Sequence, residues 1–474
     1  MERQALYQLL TRSFGFVPTD GQRTVLYHLA AFLLSEKSNP TYLLQGYAGT
    51  GKTTLVTTLV NTLPQIGMRY QLMAPTGRAA KVLSGYTGKN ATTIHRKLYR
   101  FQQYADGSLH MTRAENKAKN TLFIVDECSM ISDETSNGRS LLDDLINYVF
   151  SGENCRLLLI GDNAQLPPVG LENSPANDIN VLKNEFGLTV AAYELTEVMR
   201  QEEESGILYN ATELRTALMA SRPLMPLFRA HGFSDVHRIE PQEFEELLWQ
   251  KFGDKTSNEA VIICRSNKRA NMYNQAIRAR ILQEEGEIST GDKLMVVKNN
   301  YFWTDEDQKI SFIANGDMIE LMRINNTEEM YGFHFADVEI QLTDYQEEPN
   351  LSVKILLETL TSDSPALTAE ESEKLYRAVE EDYMDIPNKR DRYKAMRQNP
   401  YFNALQVKFG HALTCHKTQG GQWPTVFIDA PFVPDVETCH GASLQTSDLR
   451  WFYTAVTRAQ RQLYFVNFKE EYFF

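Results

Sequence analysis

Residues 46–53 read Gly46-Tyr47-Ala48-Gly49-Thr50-Gly51-Lys52-Thr53, and they join an apolar stretch to a helical pattern. Residues 41–45 before them are typical of a buried strand, while Leu55, Val56, Leu59, Val60 and Leu63 after them recur at helical spacing. Glycine lets a loop turn its N–H groups inward, and a helix start adds partial positive charge. The segment therefore predicts a phosphate-binding loop (P-loop) in an α/β domain.

The P-loop predicts a nucleoside triphosphate and Mg²⁺ as ligands. Lys52 is placed to reach the β- and γ-phosphates, and the Thr53 hydroxyl is placed to bind Mg²⁺. The residues that we expect to contact the nucleotide here are Gly46, Ala48, Gly49, Thr50, Gly51, Lys52, Thr53 and Thr54.

The bulk composition is that of an ordinary globular protein with more than one core. At 474 residues the chain is long enough for about two to four domains. Neither a signal peptide nor a membrane-spanning apolar run is evident, so we expect a cytoplasmic protein with no membrane partner. The five cysteines form no CxxC pair, which disfavours a disulfide framework, a zinc site or an iron–sulfur cluster.

Charge is distributed unevenly along the chain. The net charge of −13 argues against a nucleic-acid partner, but residues 69–119 hold ten basic and two acidic side chains. A local basic stretch is what neutralises phosphates. If this window is considered alone, a solvated helix face is the favoured explanation.

The pattern of strands and helices divides the chain into three parts. Residues 1–190 alternate apolar strands (42–45, 70–74, 122–126 and 156–160) with helices, as a parallel α/β domain does, and a β-hairpin interrupts them at about 99–118. Residues 191–290 and 401–474 form a second α/β domain, with strands at 260–264, 406–413, 425–428 and 463–467 and a helix at 268–282. Residues 291–400 are an inserted β-rich domain with a charged helical arm that begins at a Thr368–Glu371 capping box.

An apolar strand ends in the carboxylates Asp126 and Glu127. In P-loop ATPases such an aspartate holds Mg²⁺, and the neighbouring glutamate can activate the attacking water. We therefore predict that Asp126 is a metal ligand and that Glu127 is the general base. An acidic helix cap is the alternative, and the P-loop in the same domain disfavours it.

Three further side chains are candidates for the chemistry of hydrolysis. Gln165 follows the next buried strand, in a Gly-Asp-Asn-Ala-Gln segment, where it can contact the γ-phosphate and report hydrolysis. Arg200 and Arg458, outside the first domain, are candidates for arginine fingers, which contribute about 10³–10⁵ in rate. Each arginine considered alone is more typical of a surface residue or an ion-pair partner, and the full set of motifs favours the catalytic role.

The order of these segments resembles the motif series of superfamily-one DNA helicases (group B), in particular the RecD/Dda-like branch. The segments that carry the resemblance are 46–53, 74–81, Asp126-Glu127, 161–169, Arg200-Gln201, 416–420 and 453–459. The resemblance covers almost the whole chain. It implies two RecA-like domains with ATP between them, single-stranded DNA across both, and 5′→3′ translocation.

Several residues take roles only through this resemblance. It implies that Gln22 reads adenine and that Gly420 contacts the nucleotide from the second domain. Gln22 also fits a capping box with Thr19, so both roles stay open. The residues that it places along the DNA path are Pro75, Thr76, Arg78, His95, His416 and Lys417.

The resemblance also gives roles to the two insertions. The hairpin corresponds to a pin at the fork, where Phe101 or Tyr104 could stack on bases, although packing onto the domain explains these rings equally well. Residues 291–400 correspond to a small β-barrel over the DNA channel. Its aromatic run Tyr301-Phe302-Trp303 is exposed in part, with at least one ring in the core.

The leading interpretation is an ATP- and Mg²⁺-dependent 5′→3′ DNA helicase. We expect a monomer whose partners are single-stranded DNA, duplexes with a 5′ tail, and other replication or repair proteins. One alternative is a RecD-like translocase subunit of a larger complex. The chain shows no added nuclease cluster, and little sequence precedes its first motif. The other alternative, a small-molecule P-loop kinase, needs no second RecA-like domain.

Overall fold

The computed structural model of the chain describes residues 2–103, 109–132, 140–197, 205–220, 225–255, 257–304, 312–343, 345, 349–430 and 446–474. For residues 101–103 and 109–111 it describes the backbone alone. The strands are β1 (Pro40–Gly46), β2 (Arg69–Ala74), β3 (Ala91–Thr93), β4 (Tyr99–Gln103), β5 (Leu109–Arg113), β6 (Thr121–Val125), β7 (Arg156–Gly161), β8 (Thr189–Leu195), β9 (Val236–Ile239), β10 (Ala260–Cys264), β11 (Lys293–Val296), β12 (Met318–Met330), β13 (Phe333–Leu342), β14 (Leu351–Leu356), β15 (Leu405–Phe409), β16 (Ala412–Thr414), β17 (Trp423–Asp429) and β18 (Ala459–Val466).

Helices connect most of these strands. They are α1 (Arg3–Ser13), α2 (Asp20–Leu33), α3 (Lys52–Thr62), α4 (Gly77–Thr87), α5 (Ile94–Leu98), α6 (Leu141–Phe150), α7 (Ile179–Asn184), α8 (Gly206–Met219), α9 (Pro241–Phe252), α10 (Asn267–Ala276), α11 (Glu358–Thr361), α12 (Ala369–Glu381), α13 (Lys389–Met396), α14 (Cys415–Thr418) and α15 (Thr446–Val456).

The first sheet is parallel and has the strand order β3-β2-β6-β7-β1-β8. Successive residues of a strand point to opposite faces. Accordingly, Tyr42 and Leu44 pack into one hydrophobic core, while Leu43 packs into another. Because both faces are covered, β6 and β7 are buried along their whole length, as their unbroken apolar sequence predicts. The P-loop, Asp126 and Asp162 all follow the carboxyl ends of these strands, so they share one edge of the sheet.

The second sheet is also parallel, with the order β16-β10-β17-β18-β9. The helix predicted at 268–282 is α10, which continues as a π-helical turn over Ile277–Ile281. Both sheets therefore have the RecA-like form of a parallel sheet with crossover helices.

The insertion is a closed barrel of β11-β12-β13-β14-β15, which confirms the predicted β-rich domain. Its strands are antiparallel to their neighbours except for the parallel pair β14–β15. The predicted capping box of the arm is formed at Thr368. The arm is two helices, α12 and α13, and not a single helix.

One expected domain boundary and one predicted strand differ from the structure. The boundary at 190 lies within β8, which pairs with β1 and completes the first sheet. The prediction of one strand over 406–413 is wrong, because β15 closes the barrel whereas β16 joins the second sheet. The chain changes sheet at Gly410, where a Cβ would come within 2.6 Å of the Met318 side chain. Strands of both sheets are apolar here, so the sequence pattern does not mark the break.

The predicted hairpin is present as the antiparallel pair β4–β5, in a register that sets Tyr99 opposite Arg113. At its base, the Tyr99 hydroxyl donates to buried Asp144 at 2.8 Å, and Arg113 pairs with the same carboxylate at 3.3 Å. The side chain of Phe101 and the whole of Tyr104 lie outside the described residues.

A buried ion pair links the second domain to the barrel. The Arg278 guanidinium, in the π-helical turn, donates twice to Asp292, with both N–O distances 3.0 Å, and lies 4.4 Å from the ring centre of Phe409. Both charged side chains are almost completely buried.

Arg278→Met should therefore lower the free energy of unfolding by about 3–5 kcal/mol, because it leaves a buried carboxylate without its partner. Urea denaturation measures the change. Arg377→Met is the matched control, because it breaks an exposed pair with Glu373 and should cost about 0.5 kcal/mol or less. Equal shifts of the two midpoints would show that the buried pair does not hold the barrel in place.

Candidate nucleotide site and nucleic-acid interface

The P-loop has the backbone conformation that its glycines permit. Gly49 and Gly51 have φ angles of 76° and 84°, in the left-handed region that side chains rarely adopt. The Thr50 hydroxyl donates to the Tyr47 carbonyl at 2.8 Å. A Cβ on Gly46 would come within 2.9 Å of that hydroxyl oxygen. Position 46 thus requires glycine because the Thr50 hydroxyl comes too close for a side chain. Positions 49 and 51 require it because their φ angles are positive.

Lys52, the first residue of α3, extends along the loop. Its ammonium group donates to the carbonyl oxygens of Gly46 at 2.5 Å and of Tyr47 at 2.8 Å. Its positive charge favours the ionised forms of Asp126 and Asp162, so Lys52 lies near both carboxylates. Thr53 is exposed at the first turn of the same helix. The ammonium group and the helix start lie where phosphate oxygens are expected.

Asp126 lies in a polar setting at the end of β6. Burial, reinforced by the charge of Glu127, raises the pKa of Asp126 to about 6. Its oxygens accept hydrogen bonds from the Tyr86 hydroxyl at 2.6 Å and from the Glu127 N–H at 2.9 Å. A carboxylate whose pKa is raised in this way is stabilised in its charged form by a nearby cation. Asp126 and the Thr53 hydroxyl are hard oxygen donors of the kind that Mg²⁺ binds.

Glu127 has an unusual backbone for a residue other than glycine, with a φ of 54°. Such left-handed residues cost about 1–3 kcal/mol and cluster at functional sites. The turn directs the chain from β6 into the short 3₁₀ helix Cys128–Met130. This conformation agrees with the predicted general base but does not test it.

Tyr453 of α15 joins the second domain to the P-loop, where Arg215 of α8 also lies 4.6 Å from the ring centre of Tyr47. The buried hydroxyl of Tyr453 accepts a hydrogen bond from the Ala48 N–H at 2.9 Å and donates one to Asp162 at 2.7 Å. The next residue of α15, Thr454, accepts a hydrogen bond from the Leu166 N–H at 2.8 Å. Gln419 donates to the Leu166 carbonyl at 2.5 Å from the other side. Second-domain side chains therefore hold both the P-loop and the segment that contains Gln165.

Gln165 itself lies in the closed interface between the domains. Its side chain is buried, and its carbonyl oxygen has no hydrogen-bond partner among the described residues. A buried acceptor without a partner costs free energy. The oxygen can therefore accept a hydrogen bond from a water molecule, whereas the predicted contact of Gln165 with the γ-phosphate needs its amide N–H and stays a prediction.

The structure describes one of the two predicted arginine fingers, Arg458, and not the other. Arg458 is buried, and its guanidinium donates to the carbonyls of Thr454 at 3.1 Å and Gly421 at 3.2 Å. It lies two residues beyond the end of α15 and five residues after Tyr453. Arg200 lies outside the described residues. Both roles stay predictions.

Gln22 performs the capping role and also binds the P-loop. Its side-chain oxygen accepts a hydrogen bond from the Thr19 N–H, and its amide nitrogen donates to the Thr50 carbonyl, each at 3.0 Å. The residue is completely buried. Contact with adenine would require Gln22 to exchange its bond to Thr50, so adenine recognition stays a prediction.

Residues predicted to lie along the DNA path come together where α4 meets the second domain. Thr76, preceded by Pro75, caps α4 by accepting from the Ala79 N–H at 3.2 Å. Arg78 lies over the Trp423 ring, with its guanidinium carbon 3.6 Å from the ring centre. A Cβ on Gly420 would come within 3.2 Å of the Thr76 hydroxyl oxygen. Gly420, predicted at the nucleotide, thus packs against this DNA-side segment, and its nucleotide contact stays a prediction.

The remaining DNA-path residues differ in exposure. His416 is exposed on α14, whereas the Lys417 ammonium is buried with no hydrogen-bond partner in the part of the chain that the structure describes. Burial lowers the pKa of Lys417 to about 8, and a neighbouring Lys408 adds to this effect. A phosphate would supply the missing partner. Burial lowers the pKa of His95 to about 4, so its ring is neutral between Tyr99 and Phe312.

Sequence reasoning missed three residues of these sites. Tyr86 donates a hydrogen bond to Asp126, Tyr453 joins the domains, and the ring of Trp423 packs against the Arg78 guanidinium. Tyr453 stood in a recognised motif, but nothing in its spacing showed that a hydroxyl some 400 residues downstream reaches Ala48.

No helix in the described part of the chain combines the length and the apolar character needed to cross a bilayer.

Comparison with known proteins agrees with this arrangement. Residues 19–222 match the AAA domain family, and residues 409–466 match the UvrD-like helicase C-terminal domain family. The ATP-dependent DNA helicase dda of Enterobacteria phage T4 is 23% identical over 94% of this chain and 99% of its own. The ATP-dependent RecD2 DNA helicase of Deinococcus radiodurans is 34% identical over 35% of this chain and 21% of its own.

A solved structure of the Pif1 helicase from Bacteroides, in complex with ADP-AlF3 and single-stranded DNA, aligns with 97% of this chain and 95% of its own. The identity is 14% and the TM-score is 0.48.

The fold and the site define a P-loop protein with two RecA-like domains, a hairpin inserted in the first and a barrel inserted in the second. The family matches and the relatives confirm the resemblance to superfamily-one helicases of the RecD/Dda-like branch.

Tyr453→Phe should lower the turnover number for DNA-stimulated ATP hydrolysis about tenfold, because a hydrogen bond to a charged group contributes about 1.5–3 kcal/mol. The substitution keeps the ring and removes only the hydroxyl that joins Ala48 to Asp162. Steady-state kinetics measure the effect. Tyr464→Phe is the control, because that hydroxyl makes a 3.4 Å contact with Gln462 away from the site. Equal turnover in both variants would contradict the assignment of Tyr453.

Proposed function

We propose that this chain is an ATP-dependent DNA helicase that moves 5′→3′ along single-stranded DNA and unwinds duplexes with a 5′ tail. The observation that carries the proposal is the bridge from Tyr453 to Ala48 and Asp162. Through it, a second RecA-like domain contacts the phosphate-binding loop of the first. Nucleotide binding at such a loop acts on the position of both domains, which is what a translocating motor requires.

The hydrolytic roles follow from the chemistry of the side chains. The P-loop N–H groups and Lys52 hold phosphate oxygens, and Asp126 with Thr53 would hold Mg²⁺, which neutralises charge on the phosphates. Glu127 accepts the proton of the attacking water. Gln165 orients that water, which donates a hydrogen bond to its side-chain carbonyl oxygen. Arg458 and Arg200 would supply positive charge from the second domain.

The DNA-side contacts suggest how domain movement reaches the strand. Arg78 and Thr76 belong to the first domain, whereas Trp423 and Gly420 belong to the second. These contacts join the two domains beside residues that we assign to the strand path. A change in the angle between the domains therefore changes the spacing of the DNA contacts. The two relatives described above are ATP-dependent DNA helicases, which supports the same assignment.

Lys52→Ala should abolish DNA-stimulated ATP hydrolysis while binding to single-stranded DNA survives at low salt, because the substitution removes a phosphate contact and no DNA contact. Phosphate release and fluorescence anisotropy measure the two properties. Lys37→Ala, at an exposed lysine beyond α2, is the control that should keep both. Normal turnover in Lys52→Ala would refute the nucleotide site.

Polarity is tested with duplexes that carry a 5′ tail, a 3′ tail or blunt ends. With ATP and Mg²⁺, strand separation should occur on the 5′-tailed duplex and not on the other two. Preference for the 3′-tailed duplex would contradict the branch assignment. ATP turnover that is indifferent to DNA would point instead to a small-molecule kinase.

A further inference from the structure

A pocket of about 440 Å³ lies between the barrel and its helical arm. Its walls are residues 298–302, which follow β11, together with the helices α12 and α13 and residues 402–406. Ligand sites commonly have volumes of about 300–1,000 Å³. None of the residues assigned to the nucleotide or to the tracked strand lines this pocket. A ligand that binds in it is therefore neither the nucleotide nor the tracked strand.

The pocket collects positive charge in a chain that is acidic overall. Its charged lining residues are Lys298, Arg390, Lys394, Arg397 and Asp391. Within the described residues, no carboxylate forms an ion pair with Lys298, Arg390 or Lys394. By contrast, Arg392 of the same helix is paired with Glu380 at 3.1 Å. Lys298, Arg390 and Lys394 are therefore available to pair with an anionic ligand.

Aromatic rings alternate with these cations. The rings that line the pocket are Tyr301, Phe302, Tyr393 and Phe402. Tyr393 is 46% exposed, and its ring centre is 6.5 Å from that of Phe402 in an edge-to-face arrangement. Trp303, the third member of the predicted aromatic run, instead packs on the barrel core and donates to the Asn403 carbonyl at 2.8 Å. Basic side chains beside exposed rings are characteristic of sites for single-stranded nucleic acid.

A row of rings connects the pocket to the base of the hairpin. Tyr301 lies 5.1 Å from Phe312, and Phe312 lies 6.0 Å from His95 of the first domain. His95 in turn lies 5.8 Å from Tyr99, the first residue of β4. The pocket is thus next to the element that we expect at the fork, on the side formed by the barrel and the arm.

We propose that this pocket binds single-stranded DNA, namely the strand that is displaced as the duplex is opened. The inference rests on the proposed helicase function. The phosphates of the strand pair with Lys298, Arg390 and Lys394, and a base stacks on the exposed ring of Tyr393. An acidic peptide shares the charge but does not need the rings or a position beside the hairpin.

The test compares a forked duplex, with oligo-dT tails at both the 5′ and 3′ ends, with the same duplex carrying the 5′ tail alone. The wild type should bind the fork about tenfold more tightly in fluorescence anisotropy. The double variant Arg390→Glu/Lys394→Glu should abolish that ratio. It should also reduce the slope of log K against log salt on the fork by about 1.4, as the loss of two single-strand phosphate contacts predicts.

Lys298→Glu, on the barrel wall, tests the same pocket from a different element and should also reduce the ratio. Lys389→Glu is the control, because Lys389 lies at the start of α13 and outside the pocket; it should keep the wild-type ratio. The proposal is overturned if the wild type binds both duplexes equally or if the pocket variants keep the fork preference. It is also overturned if those variants lose only the binding of a labelled Asp/Glu-rich peptide. Failure of the helicase function shows separately, as wild-type ATP turnover that DNA does not stimulate.

Discussion

The hydroxyl of Tyr453 joins the two RecA-like domains at the P-loop, and its two hydrogen bonds connect the main parts of the site. It accepts from the P-loop and donates to Asp162, so a single oxygen joins the phosphate-binding loop, the segment of Gln165 and the helix α15. Burial raises the pKa of this phenol well above its ordinary value, so it stays protonated and keeps its donor role. A P-loop without this contact to the second domain would still bind nucleotide, but binding would not act on the position of the second domain.

The same geometry links the nucleotide to the DNA side. The short segment from α14 to β17 supplies Gln419, which binds the Leu166 carbonyl, and then Gly420 and Trp423, which contact α4 of the first domain. The barrel meets the first domain as well, because Lys81 donates to the Thr343 carbonyl at 3.0 Å. Contacts from the second domain and its insertion therefore bracket α4.

Much of this architecture was predictable because local signals are strong where strands are buried. The P-loop, the apolar strands β1, β6 and β7, the hairpin and the barrel all follow from periodicity, glycine positions and the motif order. The break between β15 and β16 was not predictable, because it depends on the close approach of Met318 to Gly410 and both strands are apolar. Likewise, the partners of Asp126 and Ala48 are hydroxyls far away in sequence, and no spacing rule reports them. For Gln22 the sequence pattern predicted the capping box correctly. It did not predict that the amide nitrogen of the same side chain donates to the P-loop.

The central claim is that one nucleotide site is shared by two domains and sets their relative position. Distance measurement between spin labels at the exposed positions Lys37 of the first domain and Asn258 of the second tests it most directly. The account predicts distinct distance distributions with ADP and with a non-hydrolysable ATP analogue, in the presence of single-stranded DNA. Identical distributions in both states would contradict it.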